Sequence, residues 1–213
     1  NNCGSGIYYK SINPKPDSKS QRPNTYKCSG KSYSPTVDKS SQISGNVINI
    51  IDTKDSTMKQ WPYGIRLYGE VVKSNEKIVK KGDYSAQNIL ISNNTVSIAR
   101  NATGIWIDGA KKCSVKNNNI TFTNKVFGIR LANSSKVNLN KNTVNVKGVP
   151  YVDNAIFLIK SKSNTLTGNK TTGAKLHGIY LTQNSSATIS NCTVSSNKSD
   201  GIYITQSTAD IKN

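Results

Sequence analysis

A short apolar phrase returns five times in the second half of the chain at a nearly constant spacing. It reads GIWID from Gly104, GIRLA from Gly128, AIFLI from Ala155, GIYLT from Gly178 and GIYIT from Gly201. These starts are 24, 27, 23 and 23 residues apart. Paired-helix repeats need more than about thirty residues, whereas coils built from strands can be this short. The spacing therefore predicts a β-solenoid with one repeat per coil.

The apolar positions inside each repeat follow the two-residue period of a strand. They fall one and three residues after the repeat start, which turns one face of the strand toward a core. Isoleucine occupies the first of these positions throughout, and we predict one continuous interior stack of Ile7, Ile65, Ile105, Ile129, Ile156, Ile179 and Ile202. Later apolar residues in each repeat predict further short strands on other walls of the coil.

A polar residue recurs fourteen positions after the repeat start. The slot is filled by Asn118, Asn142 and Asn169, and then by Cys192. Asparagine side chains that stack at a bend can pass hydrogen bonds from one coil to the next, as amide ladders do in cross-β stacks. We therefore expect an asparagine ladder inside the solenoid.

The pattern GI-x-L, small polar residues, an Ile or Val and then N-x-[IVT] resembles the repeat of the pectate-lyase-like superfamily. The resemblance covers almost the whole chain. It implies an all-β fold, a right-handed parallel β-helix (a single-stranded solenoid) of about seven coils with roughly 23 residues each. The superfamily hosts lyases, hydrolases, epimerases, phage tailspikes and adhesins, so the resemblance leaves the activity open.

The coil pattern is interrupted only in the first part of the chain. Insertions are predicted near 10–42, 52–63 and 69–87, in the first two coils, because the intervening residues do not fit a coil wall. Residues 1–213 are expected to form one β-helix domain. Since the sequence opens and stops within a coil, we expect it to be part of a longer solenoid. Loops that project from one region of a repeat protein commonly form its binding face.

The chain carries a net charge of +18, and only four of its 29 basic residues are arginines. One interpretation is a solvated, lysine-rich surface. The other is a positive field that gathers polyanions such as uronic-acid glycans or other acidic polymers. No nucleic-acid-binding motif is visible, so nucleic acid is not the expected partner. No run of 18 apolar residues predicts a membrane span, and an extracellular or cell-surface location is expected.

The four cysteines divide into two pairs. Cys113 and Cys192 lie three coils apart, about 14 Å along the axis, which exceeds the reach of a disulfide and predicts free, buried thiols. Cys3 and Cys28 both belong to the amino-terminal end, where a disulfide between them would fasten the first insertion to the body. Reduced thiols are the alternative at this end. No Cys or His pair has the spacing of metal ligands, and no cofactor is expected; calcium has no motif here.

The outward residues two positions after each repeat start form the most informative column. They are Tyr8, Arg66, Trp106, Arg130, Phe157, Tyr180 and Tyr203. Simple cross-strand stacking would explain aromatic residues at exposed strand positions. A sugar-binding wall would explain the same column, because rings stack on pyranose faces and guanidinium groups pair with uronate or sulfate. The predicted substrate-binding residues are Tyr63, Tyr68, Trp106, Phe157 and Tyr180.

Catalytic candidates follow from the same column. Arg66, Asp108 and Arg130 fall in three consecutive coils on one face, where a cation could neutralise a uronate carboxylate during proton abstraction. His177, the only histidine, and Asp200 fall in register on adjacent coils. They are either an acid/base pair or the partners of a turn hydrogen bond.

The motifs of two well-known enzyme groups are missing. Polygalacturonases carry N-x-D, D-D, G-H-G and R-x-K motifs, of which this chain offers only LHG at 176–178. Neither the R-x-P-x-x-R motif nor the calcium-binding acids of pectate lyases are present. If the protein is an enzyme, a polysaccharide lyase is favoured over a glycoside hydrolase, since Asp108 has no second carboxylate in register. Two functions follow: binding and processing of an acidic polysaccharide, or a structural or adhesive segment of a surface protein without chemistry.

Overall fold

A computed structural model describes residues 7–11, 42–50, 63–69, 86–99, 102–122, 127–146 and 154–213. Their regular secondary structure consists of β-strands, and within these ranges there is no helix. Consequently these residues contain no helix long and apolar enough to cross a membrane. The predicted insertions 10–42, 52–63 and 69–87 lie outside the described residues, except at their ends.

The strands assemble into three parallel sheets and one small pair. Sheet 1 contains β1 (Ile7–Ser11), β4 (Tyr63–Gly69), β8 (Thr103–Asp108), β12 (Ile129–Ala132), β15 (Asn154–Ile159), β18 (His177–Thr182) and β21 (Ile202–Ile204). Sheet 2 contains β2 (Gln42–Ser44), β6 (Leu90–Ser92), β10 (Ser114–Lys116), β13 (Asn138–Asn140), β16 (Asn164–Thr167), β19 (Ser186–Ser190) and β22 (Thr208–Lys212). Sheet 3 contains β3 (Val47–Ile50), β7 (Thr95–Ile98), β11 (Asn119–Phe122), β14 (Thr143–Val146), β17 (Lys170–Thr172) and β20 (Thr193–Ser195). The pair is β5 (Ala86–Gln87) and β9 (Ala110–Lys111).

The chain visits the three sheets in the same order in every turn. From Thr103 to Lys212 it completes four three-stranded turns and contributes two strands of a fifth. Strands β1 to β7 extend the same sheets at one end. Each strand is hydrogen bonded in parallel to its equivalents in the neighbouring turns. The predicted class, an all-β parallel β-helix, is confirmed.

The interior contains the predicted isoleucine stack and, beside it, a second stack of leucine and isoleucine residues. Register pairing places Ile65, Ile105, Ile129, Ile156 and Ile179 one above another, and each is fully buried. At the last strand Ile202 is only half-buried, because it lies in the outermost described turn. A narrow apolar column of this kind can stabilise a chain whose hydrophobic content is only 34%.

The glycine at the repeat start is explained by close packing of adjacent turns. A Cβ atom on Gly104 would lie 2.6 Å from the carbonyl oxygen of Gly128 and 2.7 Å from the Ile120 side chain. Gly128 is confined in the same way by Ala155 and Val144. Only a residue without a side chain fits there without displacing the neighbouring strand.

The asparagine ladder is confirmed and is longer than the sequence pattern suggested. Each side-chain amide donates to the side-chain oxygen in the next turn, at 2.8 to 3.0 Å, along Asn46, Asn94, Asn118, Asn142 and Asn169. At the last step Asn169 Nδ2 meets Cys192 Sγ at 3.9 Å. A second ladder was not predicted from the sequence. In it, backbone N–H groups donate to serine hydroxyl groups of the next turn, at Ser134, Ser161, Ser185 and Ser207. These ladders satisfy polar groups at bends that would otherwise be buried without partners.

Cys113 and Cys192 are both free, as predicted. Burial raises the pKa of the Cys113 thiol to about 11. The prediction that Cys192 is also buried is wrong, because its side chain is only half-buried where the ladder ends. The proposed Cys3–Cys28 disulfide lies outside the described residues.

Candidate functional site

The outward side chains of sheet 1 form one row along the solenoid axis. Register pairing confirms the predicted order Arg66, Trp106, Arg130, Phe157, Tyr180 and Tyr203, and it pairs the backbone of Tyr8 with Arg66. Neighbouring strands of a parallel sheet are about 4.8 Å apart, so successive members of the row can touch. The row is the candidate site, and its two halves differ in structure.

The first half is a sandwich of one indole ring between two guanidinium groups. Arg66 Cζ lies 4.6 Å from the centre of the Trp106 ring, and Arg130 Cζ lies 4.7 Å from it. Because β4 and β12 flank β8 on opposite sides, the two cations approach the ring from opposite sides. All three side chains are half-buried. The sequence predicted that Trp106 would offer a ring face to a sugar, but both faces of the ring already contact a guanidinium group.

Two tyrosines fix the guanidinium group of Arg66. Its Cζ atom is 4.8 Å from the ring centre of Tyr63 and 5.1 Å from that of Tyr68. Tyr63 also packs on Trp106 with ring centres 4.9 Å apart. Of the predicted substrate-binding residues, Tyr63, Tyr68 and Trp106 are thus brought together around Arg66. These cation–π contacts restrict the position of the guanidinium group.

Asp108 lies two residues beyond Trp106 on the same strand and is the acidic member of the site. Its Oδ1 atom accepts a hydrogen bond of 2.9 Å from Asn133 Nδ2. Burial lowers the pKa of Arg130, while the charge of Asp108 acts in the opposite direction. Arg130 therefore sits in a partly desolvated position with a carboxylate nearby. Its Nε atom and Trp106 Nε1 are buried without a hydrogen-bond partner among the described residues.

Asn133 and Phe127 are site residues that the sequence analysis missed. Asn133 follows β12 in a left-handed conformation, with φ of 48°, which Asn tolerates better than most residues. Phe127 precedes β12, and its ring centre lies 5.5 Å from Arg130 Cζ. It belongs to a second row, one residue before the repeat start, that also holds Tyr63 and His177. An Asn at the end of a strand was the available sequence signal for Asn133.

The second half of the row is a stack of rings on rings. Phe127 and Phe157 are 4.8 Å apart, Phe157 and Tyr180 are 5.2 Å apart, and Tyr180 and Tyr203 are 5.3 Å apart, with interplanar angles of 17° to 30°. Phe157 is only 8% exposed. The expectation that Phe157 offers a ring face to substrate is therefore corrected, since Phe127 and Tyr180 cover both faces. Tyr180 is half-buried and has Phe157 and Tyr203 on its two sides.

His177 and Asp200 meet on adjacent turns, as the register predicted. His177 Nδ1 lies 3.1 Å from Asp200 Oδ2, without the alignment of a hydrogen bond. The same carboxylate oxygen accepts from Ser199 Oγ at 3.1 Å. The imidazole stacks on Tyr203 at 4.5 Å, and its side chain is 12% exposed. His177 lies two strands from Arg130, about 10 Å along the sheet, so the two cannot hold the same carboxylate group.

The acidic residues in the described ranges are few and far apart. They are Asp108, Asp200 and Asp210, and the first two are separated by four strand spacings, about 19 Å. A glycosidase needs two carboxyl groups about 5 to 9.5 Å apart. No group of three or more His, Cys, Asp or Glu residues that could hold a metal occurs within the described ranges. Glu70, which could approach Asp108, is not among the described residues.

Comparison with known proteins agrees with this architecture. Residues 77–213 match the family model described as the right-handed beta helix region, and the chain belongs to this family. Among solved structures it is similar to a mutant of the periplasmic alginate epimerase AlgG, with 14% identity and a TM-score of 0.41. That match covers 81% of this chain and 45% of the epimerase, so the chain spans less than half the length of that protein. A comparison with curated proteins finds no match.

Proposed function

We propose that the sandwich of Arg66, Trp106 and Arg130 binds an acidic polysaccharide, carrying uronate or sulfate groups, outside the cell or at its surface. The observation that supports this is the pair of guanidinium groups held on opposite faces of one indole ring. Stacking fixes both groups before a ligand arrives, so less side-chain entropy is lost on binding. Guanidinium forks match the geometry of carboxylate and sulfate groups.

The charge of the whole chain supports an anionic ligand. The net charge is +18, and in the described ranges the acids are limited to Asp108, Asp200 and Asp210. A positive field of this kind raises the association rate of a polyanion, but lysines spread along the surface do not fix its position. Fixing the position is the role that we assign to Arg66 and Arg130.

Cleavage of the bound polymer, if it occurs, would be elimination rather than hydrolysis. Elimination removes the proton next to the uronate carboxylate and breaks the glycosidic C–O bond at the following carbon, so it needs a cation at the carboxylate, a base for the proton and an acid for the departing oxygen; Arg, Lys or Tyr side chains can supply these. Tyr63 and Tyr68 lie beside Arg66 and are the tyrosines placed for such a role. Hydrolysis lacks its second carboxylate among the described residues, as the separation of Asp108 from Asp200 indicates.

The stacked rings of the second half favour a second candidate, a structural or adhesive segment without chemistry. Phe127, Phe157 and Tyr180 cover one another's faces, which is the arrangement expected of side chains that stabilise the solenoid. In this alternative the guanidinium groups are also only part of the surface packing. The two candidates predict different results when the arginines are removed.

The test is a binding measurement with homogalacturonan and alginate oligosaccharides on immobilised protein. We expect Arg66→Ala with Arg130→Ala to weaken binding at least about tenfold, which is about 1.4 kcal/mol. The matched control is Lys116→Ala with Lys170→Ala, which removes two exposed charges from sheets 2 and 3. A third variant, Arg66→Lys with Arg130→Lys, keeps the charge and removes the planar fork.

Equal losses in the two alanine variants, with the same dependence on salt, would leave only a diffuse basic surface and reject the site. The absence of binding to any acidic glycan would favour the structural segment. Elimination is followed in parallel by the ultraviolet absorbance of unsaturated uronate ends.

A further inference from the structure

The charges of the candidate site alternate along the solenoid axis. Arg66 lies on β4, Asp108 on β8 and Arg130 on β12, in three consecutive turns of sheet 1. Strands β4 and β12 are two strand spacings apart, about 9.6 Å, and the two guanidinium groups, which both stack on Trp106, are somewhat closer together, with a carboxylate in the turn between them. A ligand that contacts both arginines must pass Trp106, and Asp108 lies beside that path, two residues farther along β8.

The two residues in the middle of the site also have contacts that restrict them. Asn133 Nδ2 donates to Asp108 Oδ1 at 2.9 Å, which fixes the carboxylate beside the strand. Trp106 lies between the two guanidinium groups and cannot turn without breaking both contacts. The charged groups of Arg66, Asp108 and Arg130 are therefore each restricted in position, one in each of the three turns.

A fixed carboxylate discriminates between ligand groups. It repels a second carboxylate or a sulfate group placed beside it, and it accepts hydrogen bonds from hydroxyl or amide groups. An acidic group is favoured at each arginine and disfavoured at the turn between them. Repulsion at a wrong position is as effective a source of specificity as attraction at the right one.

We infer that the site selects polysaccharides whose acidic groups occur on alternate sugar units. The polymer lies along the solenoid axis, with acidic units at Arg66 and Arg130 and an uncharged unit beside Trp106 and Asp108. The uncharged unit donates a hydroxyl or amide hydrogen to the Asp108 carboxylate. This inference rests on the proposed function, because it assumes that the arginine pair binds an acidic glycan.

The experiment compares two probes with equal numbers of sugar units on the wild-type protein and on Asp108→Asn. The alternating probe is a hyaluronan oligosaccharide of glucuronate and N-acetylglucosamine, and the uniform probe is an oligogalacturonate. We expect the wild type to prefer the alternating probe by about tenfold and Asp108→Asn to reduce that preference several-fold, chiefly by binding the uniform probe more tightly.

The matched control is Asp210→Asn, which removes the same charge from sheet 2, where Asp210 pairs with Lys212 at 2.7 Å. It should leave the preference unchanged. An equal effect of Asp210→Asn would show that only net charge matters and would overturn the inference. A wild type that binds the uniform probe as tightly as the alternating one would also overturn it.

Failure of the proposed function gives a different result. In that case neither probe binds the wild type, or Arg66→Ala with Arg130→Ala binds both probes as tightly as the wild type does. If the arginine variant loses both probes while the wild type shows no preference, the acidic-glycan site stands and only the alternation is rejected.

Discussion

The two halves of the outward row on sheet 1 share a backbone, a register and a core, yet they present different chemistry. In the first half a cation lies on each side of a ring, as Arg66 and Arg130 do on Trp106. In the second half a ring lies on each side of a ring, as Phe127 and Tyr180 do on Phe157. A guanidinium group carries a positive charge and several N–H donors, whereas the ring of Phe157 carries no polar group and Tyr180 and Tyr203 carry one hydroxyl group each.

A column of aromatic residues on a β-helix is therefore not by itself a sugar-binding wall. Turns about 4.8 Å apart bring each ring close to the rings above and below it, and the ring faces that a pyranose would need are used within the protein. The aromatic half then contributes to stability and the arginine half to recognition. Substitutions in the core and in each half test that division, and the largest effect is expected at Ile129.

Ile129→Asp should unfold the protein, since both halves depend on one interior column. Ile129 is fully buried between Ile105 and Ile156, and a carboxylate there would have no partner. We expect a loss of more than about 4 kcal/mol in the free energy of unfolding, measured by denaturant titration with circular dichroism. The control is Ile129→Val, which should lower the free energy of unfolding by about 1 kcal/mol. An unchanged transition midpoint in Ile129→Asp would mean that the inner and outer faces are reversed.

Phe157→Ala separates the two halves. Removing a ring packed between two others should lower the free energy of unfolding by about 3 kcal/mol and change the affinity for acidic oligosaccharides less than about twofold. Arg130→Ala should show the reverse, with a large loss of affinity and a small loss of stability. Tyr203→Ala, at a position 40% exposed, is the control for an outer ring of the same stack. Equal losses of affinity in Phe157→Ala and Arg130→Ala would place the aromatic half within the binding surface.

The Cys113 thiol, beneath the first half, should make the stability of the protein depend on alkaline pH. Because burial raises the pKa of Cys113 from 9.0 to about 11, the folded thiol stays protonated while the unfolded one ionises. The contribution of this thiol to the free energy of unfolding is fully present below pH 9 and is lost as the pH approaches 11. The expected decrease is about 2 to 3 kcal/mol. The difference between wild type and Cys113→Ala isolates this effect from other titrating groups.

Alkylation followed by peptide mapping compares the accessibility of Cys113 with that of Cys192, the thiol beneath the second half. At pH 8 the half-buried Cys192 should react well before Cys113, which is 1% exposed. Faster labelling of Cys113 would show that the first half of the solenoid opens more readily than the second.

Much of the fold could be predicted because its causes repeat. In most turns the glycine, the isoleucine and the asparagine contact the same residue type in the next turn, so a period in the sequence becomes a column in the structure, with Ala155 and Cys192 as the exceptions. The order of Arg66, Trp106 and Arg130 followed for the same reason. The serine ladder was not predicted because Ser134, Ser161 and Ser185 lie in a part of the repeat that contains many other serines.

The sequence by itself determined the solenoid, the register of its strands and the identity of every outward residue on sheet 1. Only the tertiary structure decided which of those residues present polar groups to a ligand, since stacking depends on how each side chain turns toward its neighbours. Phe157 is covered because Phe127, from a different column, packs against it. Asp108 is fixed because Asn133, in a left-handed turn, reaches back across one strand. The rings that cover the outward row come from the second row, which carries a ring at Tyr63, Phe127 and His177 but not in the turns between them, so the repeat pattern of the outward row did not predict these contacts.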